Sequence, residues 1–97
     1  MSLSSARTVH LKVTAYGLWQ MKLGRKNMRF GMKEGTLKDL IMALAEANET
    51  DLAETMTHKG RLAEGLLVFV NGTPAHDLAT PLREGDEVVL YSMFDGG

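Results

Sequence analysis

The 97-residue sequence contains no cysteine. That excludes disulfides, iron–sulfur ligation and thiol catalysis together, and it leaves the redox compartment open. No apolar run approaches the roughly 18 residues that suggest a membrane span. Residues Met1–Ser5 lack the apolar segment of a secretory signal, so the cytoplasm is the expected location and no membrane partner is expected. There is no P-loop and no G-x-G-x-x-G pattern. No serine lies in a G-x-S-x-G setting. His10, His58 and His76 show no metal-ligand spacing, and each reads as an exposed histidine. Glu84, Asp86 and Glu87 cluster in front of a strand, where a soluble turn explains them better than a catalytic carboxylate pair. A chain this short holds one modest core and little room for a pocket. Independent catalysis is not expected, nor a metal, nor a cofactor bound by the chain itself.

Acids are scarce at the front. Residues 1–34 carry seven Lys and Arg against Glu34, whereas the remainder carries four bases and eleven acids. The front bases are spread through alternating segments instead of forming one block. A solvated face is therefore favoured over a nucleic-acid surface.

Val9, Leu11, Val13 and Ala15 alternate with polar residues, the period of a half-buried strand. Residues 17–27 admit two readings. Trp19, Met21 and Leu23 alternate as in a strand, while Gly17 and Gly24 punctuate the segment like a loop. Met28, Phe30 and Met32 resume the alternation. Thr36 is a good N-cap, and Asp39 completes a variant of the capping box. Leu37, Leu40, Ile41, Leu44 and Ala47 then form an apolar helical stripe, with Lys38, Glu46 and Glu49 toward water and Asn48 at the end. Residues 51–58 read as further helical turns, with Leu52 and Met56 at i,i+4 and Gly60 as the breaker. The run Leu66–Val70 before Asn71 and Gly72 reads as a central strand and a tight turn. Pro74 confines residues 73–78 to a short edge piece. A turn at Pro81 and another at Gly85 and Asp86 lead into a last strand from Glu87 to Met93. Trp19 and the seven methionines read as gap-filling core or contact residues.

The order strand, strand, helix, strand, short strand, strand predicts an α+β fold. One helix crosses a mixed sheet whose first and last strands lie in the middle, parallel to each other. That is the β-grasp, or ubiquitin-like, arrangement. The expected division is a loose N-terminus over 1–7, the domain over 8–94 and a tail over 95–97. On the last strand, alternation places Leu90, Ser92 and Phe94 on one face and Tyr91 and Met93 on the other. One set lies under the helix and the other is free for a partner.

The final residues are Gly96 and Gly97. Glycine contributes nothing to a core and loses much entropy when ordered. A terminal glycine carboxylate, however, has no Cβ beside it, and two glycines form a thin strip that a narrow slot can grip by strand-like hydrogen bonds. A carboxylate is inert at neutral pH. A partner that uses ATP could convert it to an acyl-adenylate, which then accepts sulfur or an amine.

Three stretches, "VHLKVTAYGLWQMKLGRKNMRF", "GTLKDLIMALAE" and "GLLVFVNGTPAHDLATPLREGDEVVLYSMFDGG", resemble the MoaD/ThiS family of ubiquitin-like sulfur carriers. The resemblance covers residues 8–97 and is greatest to the MoaD type, the small subunit of molybdopterin synthase. V-N-G, E-G-D-E-V and Gly-Gly in this order are its most specific elements. The resemblance implies that Gly97 is the carrier glycine, adenylated and then converted to a thiocarboxylate. Gly96 corresponds to the glycine that threads the slot, and Met93, Phe94 and Asp95 lead the tail into its partner. It further implies an adenylating enzyme of the MoeB/ThiF type, related to ubiquitin-activating enzymes, which consumes the ATP, and a sulfur donor. For a MoaD type it also implies a MoaE-like large subunit that builds the dithiolene of molybdopterin. ThiS-type carriers instead serve the thiazole of thiamine, and are shorter between the helix and the following strand. The extra residues 49–64 favour the MoaD type. Ser92 and Met93 stand where MoaD tails often carry two prolines, which leaves tungsten cofactor, cysteine synthesis or another sulfur-containing product open. A protein modifier joined through Gly97 and a non-catalytic binding module are the alternative readings.

Overall fold

Alternation over the first segment becomes β1 (Thr8–Ala15), whose Val9, Leu11, Val13 and Ala15 are buried. The computed structural model describes residues 7–57 and 59–93. After β1 the chain forms a short helix, α1 (Leu18–Leu23), flanked by Gly17 at φ 60° and by Gly24 in the left-handed region at φ 77°. This resolves the ambiguous segment. Trp19 and Leu23 are four residues apart, share the inner side of α1 and are buried, while Met21 between them is exposed. Strand β2 (Asn27–Lys33) then pairs antiparallel with β1, setting Met28, Phe30 and Met32 opposite Val13, Leu11 and Val9.

A two-residue strand, β3 (Gly35–Thr36), leads into α2 (Leu37–Ala47). The capping box is present: the Asp39 N–H donates to the Thr36 hydroxyl, and the Asp39 carboxylate accepts from the Thr36 N–H at 2.8 Å. Two more N-terminal amides, those of Leu37 and Lys38, donate to the carbonyls of Thr80 and Leu78. Together these satisfy amides that a helix start leaves without intrahelical partners. Leu37, Leu40, Ile41 and Leu44 are fully buried. Ala47 departs from the expected stripe: it is exposed, because the last turn of α2 flanks an open groove beside β2. Asn48 ends the helix, its side-chain amide donating to the Leu44 carbonyl at 2.8 Å.

The expected helical turns over 51–58 reduce to one 3-10 turn at Ala53–Thr55. Leu52 is buried, but Met56 is extended and bridges to Leu62, so the two do not share a helical face. The Asp51 carboxylate accepts from the Ala53 N–H, and the buried Thr55 hydroxyl donates to the Leu52 carbonyl. These local bonds give the backbone an alternative to a regular helix.

Strand β4 (Leu66–Val70) turns through Asn71 at φ 52° and Gly72 at φ 83° into β5 (Thr73–Pro74), the edge piece that Pro74 dictates. Pro81 is not in a turn. It belongs to β6 (Pro81–Leu82), which pairs with β3 in a small second sheet and buries Leu82. Strand β7 (Glu87–Ser92) closes the main sheet, ordered β2-β1-β7-β4-β5. It is parallel to β1 and antiparallel to β4. The arrangement is the expected β-grasp, with α2 as its main helix and α1 as an addition. Among the described residues no helix is long and apolar enough to cross a membrane.

Candidate functional site

The alternation of β7 splits its side chains as expected. Leu90 and Ser92 are buried, whereas Tyr91 and Met93 are 44% and 69% exposed. Phe94, Asp95, Gly96 and Gly97 lie outside the described residues, as does His58. Of the five tail residues singled out in the sequence, Met93 is therefore the one whose place is known.

The backbone is anchored as far as Met93. The Tyr16 N–H donates to the Leu90 carbonyl at 2.8 Å. One residue on, the indole Nε1–H of buried Trp19 donates to the Tyr91 carbonyl at 3.1 Å. Two residues further on, the Met93 N–H donates to the Gly65 carbonyl at 2.8 Å. Helix α1 and the loop before β4 thus both hold the end of β7. The Tyr91 ring meets Tyr16 edge-on at 6.0 Å, and the Lys26 ammonium sits 5.0 Å from the Tyr16 ring centre.

The sheet face away from α2 continues this surface. Leu67 lies opposite Tyr91, and Phe69 opposite Val89; Leu67, Phe69 and Val89 are half-buried. Sequence reasoning named Tyr91 but not Leu67 or Phe69. The signal was available: a continuous apolar run on a strand must place alternate residues on its outer face. On β1 and β2 the same face is polar and basic, with Lys12 and Arg29 paired across the strands. Lys12 also reaches Glu87 at 3.7 Å, an exposed pair of small energetic weight.

Two other polar contacts shape the surface. Glu84 accepts from the His10 N–H at 2.8 Å, with the imidazole Nδ1 at 3.3 Å. The backbone bond foremost, and then the histidine side chain, hold the Glu84 carboxyl below the usual carboxylate range. Lys22 on α1 reaches Glu54 at 2.8 Å, and chiefly that hydrogen bond raises its pKa. His10 and His76 are exposed, and among the described residues no three His, Asp or Glu could hold a metal ion.

A model of the ThiS family matches residues 28–97, well over half of the chain. A protein of Archaeoglobus fulgidus, provisionally named a sulfur carrier protein, is 34% identical over 65 residues, which covers 64% of this chain and 74% of that protein. Among solved structures, the small archaeal modifier protein 1 of Haloferax volcanii superimposes with a TM-score of 0.73 at 22% identity, covering 89% of this chain and 99% of that one. A Pyrococcus furiosus protein, provisionally named subunit 1 of molybdopterin converting factor, superimposes with a TM-score of 0.70 at 21% identity and the same coverage, 89% and 99%. At these identities the two structures bear on the fold, which they share.

Proposed function

This chain belongs to the ThiS family, and from that premise we propose that it carries sulfur on the carboxyl group of Gly97. The single observation that supports the reading best is the gripped end of β7. The two flanking segments hold the backbone in place up to Met93, four residues before Gly97. Residues 94–97 then follow from a defined point beside an apolar surface.

The chemistry needs an adenylating enzyme of the MoeB/ThiF type and ATP. A Gly97 carboxylate oxygen attacks the α-phosphorus of ATP, and pyrophosphate leaves. Hydrosulfide then adds to the carbonyl carbon, AMP leaves with its electron pair, a proton is released, and a thiocarboxylate remains. Gly96 and Gly97 thread the enzyme's slot, and Asp95 and Phe94 lead them in from Met93. Tyr91 and Met93, with Leu67 and Phe69 beside them, supply the apolar docking surface. The catalytic groups for both steps belong to the partner. Residues 49–64 favour delivery to a MoaE-like large subunit for molybdopterin, with sulfur for molybdenum or tungsten cofactor as the end use.

The test is intact-mass analysis after incubation with a MoeB/ThiF-type enzyme, ATP and sulfide. Replacement of one oxygen by sulfur is expected, and it should vanish when a residue is appended after Gly97. An unchanged mass, with an enzyme that adenylates another carrier in the same assay, overturns the proposal. If high-mass protein conjugates accumulate instead, and are lost on deletion of Gly97, the protein is a modifier and not a sulfur donor.

A further inference from the structure

Strand β2 is an edge. Among the described residues it pairs on one side only, with β1. The phase of its hydrogen bonds follows from two of them. The Ala15 N–H donates to Lys26, and the Glu34 N–H donates to Arg7. Hydrogen-bonded pairs recur every second residue in an antiparallel ladder. Met28, Phe30 and Met32 therefore spend their backbone groups on β1. Arg29, Gly31 and Lys33 direct theirs to the open side.

Beside this open edge runs a groove of about 630 Å³ between β2 and α2. Phe30 and Met32 lie on its strand side, and Ala43 and Ala47 on its helix side. The two faces of the edge differ in charge. Arg29 and Lys33 are exposed and share the outer face by alternation, while Glu34, Asp39 and Glu46 rim the groove, which Lys33 also borders at one end. Asp39 is already held by the Thr36 cap.

We infer that this edge and groove receive an extended segment of a partner protein that alternates acidic and apolar residues. Added as a sixth strand, the segment bonds to the free groups of Arg29, Gly31 and Lys33. Its acidic side chains fall on the outer face opposite Arg29 and Lys33, where opposite charges attract. Its apolar side chains fall into the groove against Phe30, Met32 and the two alanines. Acids on that side would meet Asp39 and Glu46. Charge also argues against a second copy of this chain as the occupant. A two-fold antiparallel pairing centred on Gly31 would set Arg29 of each copy against Lys33 of the other, which is repulsive.

The probe is a capped seven-residue peptide alternating Glu with Val and Ile, compared with a peptide of the same composition in two blocks. Binding is followed by amide chemical shifts and hydrogen exchange of the full chain. The alternating peptide should shift and protect the amides of Arg29, Gly31 and Lys33. The doubly substituted chain Arg29→Glu, Lys33→Glu should bind it at least about tenfold more weakly, and should prefer the same peptide with Lys in place of Glu. The inference fails if the block peptide binds equally well, if the shifts map elsewhere, or if charge reversal leaves affinity unchanged. It fails too if the three amides become protected without peptide as the chain dimerises. None of these readouts involves Gly97, so the outcome is independent of the sulfur-carrier reading.

Discussion

Beneath α2 the sheet presents Val9, Leu11, Val13, Val68, Val88 and Leu90, all buried, whereas its opposite face carries Leu67, Phe69 and Val89 half-buried and Tyr91 exposed, beside Lys12 and Arg29. Both faces belong to the same strands, so backbone pairing is common to the two. What differs is the cover. The inner residues lie in a continuous core with α2, and their burial supplies much of the folding free energy. The outer apolar residues remain partly in water and contribute less to folding. Their apolar surface is thereby available to a partner, and it adjoins the point where the chain leaves β7.

That contrast can be broken by substitution, and the largest effect should come from the inner face. Leu44→Ala or Leu90→Ala removes a fully buried side chain and should cost about 2–5 kcal/mol in urea unfolding. Trp19→Phe keeps much of the packing but leaves the Tyr91 carbonyl without its indole donor. That carbonyl still faces the Leu67 N–H across the β4–β7 ladder, so a loss of about 0.5–1.5 kcal/mol is expected, with faster amide exchange at the end of β7. Thr36→Ala touches neither face of the sheet. It should cost about 1 kcal/mol through the lost N-cap, and provides a reference for a purely local effect.

The outer face should respond in the opposite sense. Tyr91→Ser with Met93→Ser should change stability by only about 0.5–1 kcal/mol. The same pair should nevertheless slow thiocarboxylate formation by the adenylating enzyme, measured as kcat/KM by intact mass. A large loss of stability, or unchanged activation, would erase the distinction between the faces. The smallest effect belongs to Glu84. Its carboxyl is below the ordinary range in the folded state, so its contribution is present above the unfolded pKa. It is lost as the pH falls through the lowered folded value. Glu84→Gln should flatten that segment of the stability–pH curve, measured by urea unfolding across the acidic range, and change little at neutral pH.

Much of the fold was legible because its signals are local. The period of two in β1, β2 and β7, the Thr36 and Asp39 cap and the Asn71-Gly72 turn each depend on a few neighbouring residues. Failures occurred where two local readings competed. Trp19, Met21 and Leu23 fit a strand by alternation, but Trp19 and Leu23 also fit one face of a helix. The core beside β7 takes the indole and settles the choice. Leu52 and Met56 fit a helix by spacing, yet Met56 pairs with Leu62 across a loop that no periodicity announces. Pro81 signalled a turn because its pairing with Thr36 is remote in sequence. At the candidate site, the two alternating sets on β7 were readable. The grip of Trp19 and Gly65 on the backbone was not, since both partners come from distant segments.

By itself, then, the sequence determined the alternations, the helix start, the tight turns and the presence of Gly96 and Gly97 beyond the last strand. Side-chain periodicity and backbone preference are properties of short stretches, so they survive without knowledge of the fold. Only the tertiary structure decided which face of β7 lies under α2, which half of the outer face is apolar, and that β2 presents an open edge beside a groove. Those features depend on which strands become neighbours, and neighbourhood in a mixed sheet is set by burying all the apolar faces at once.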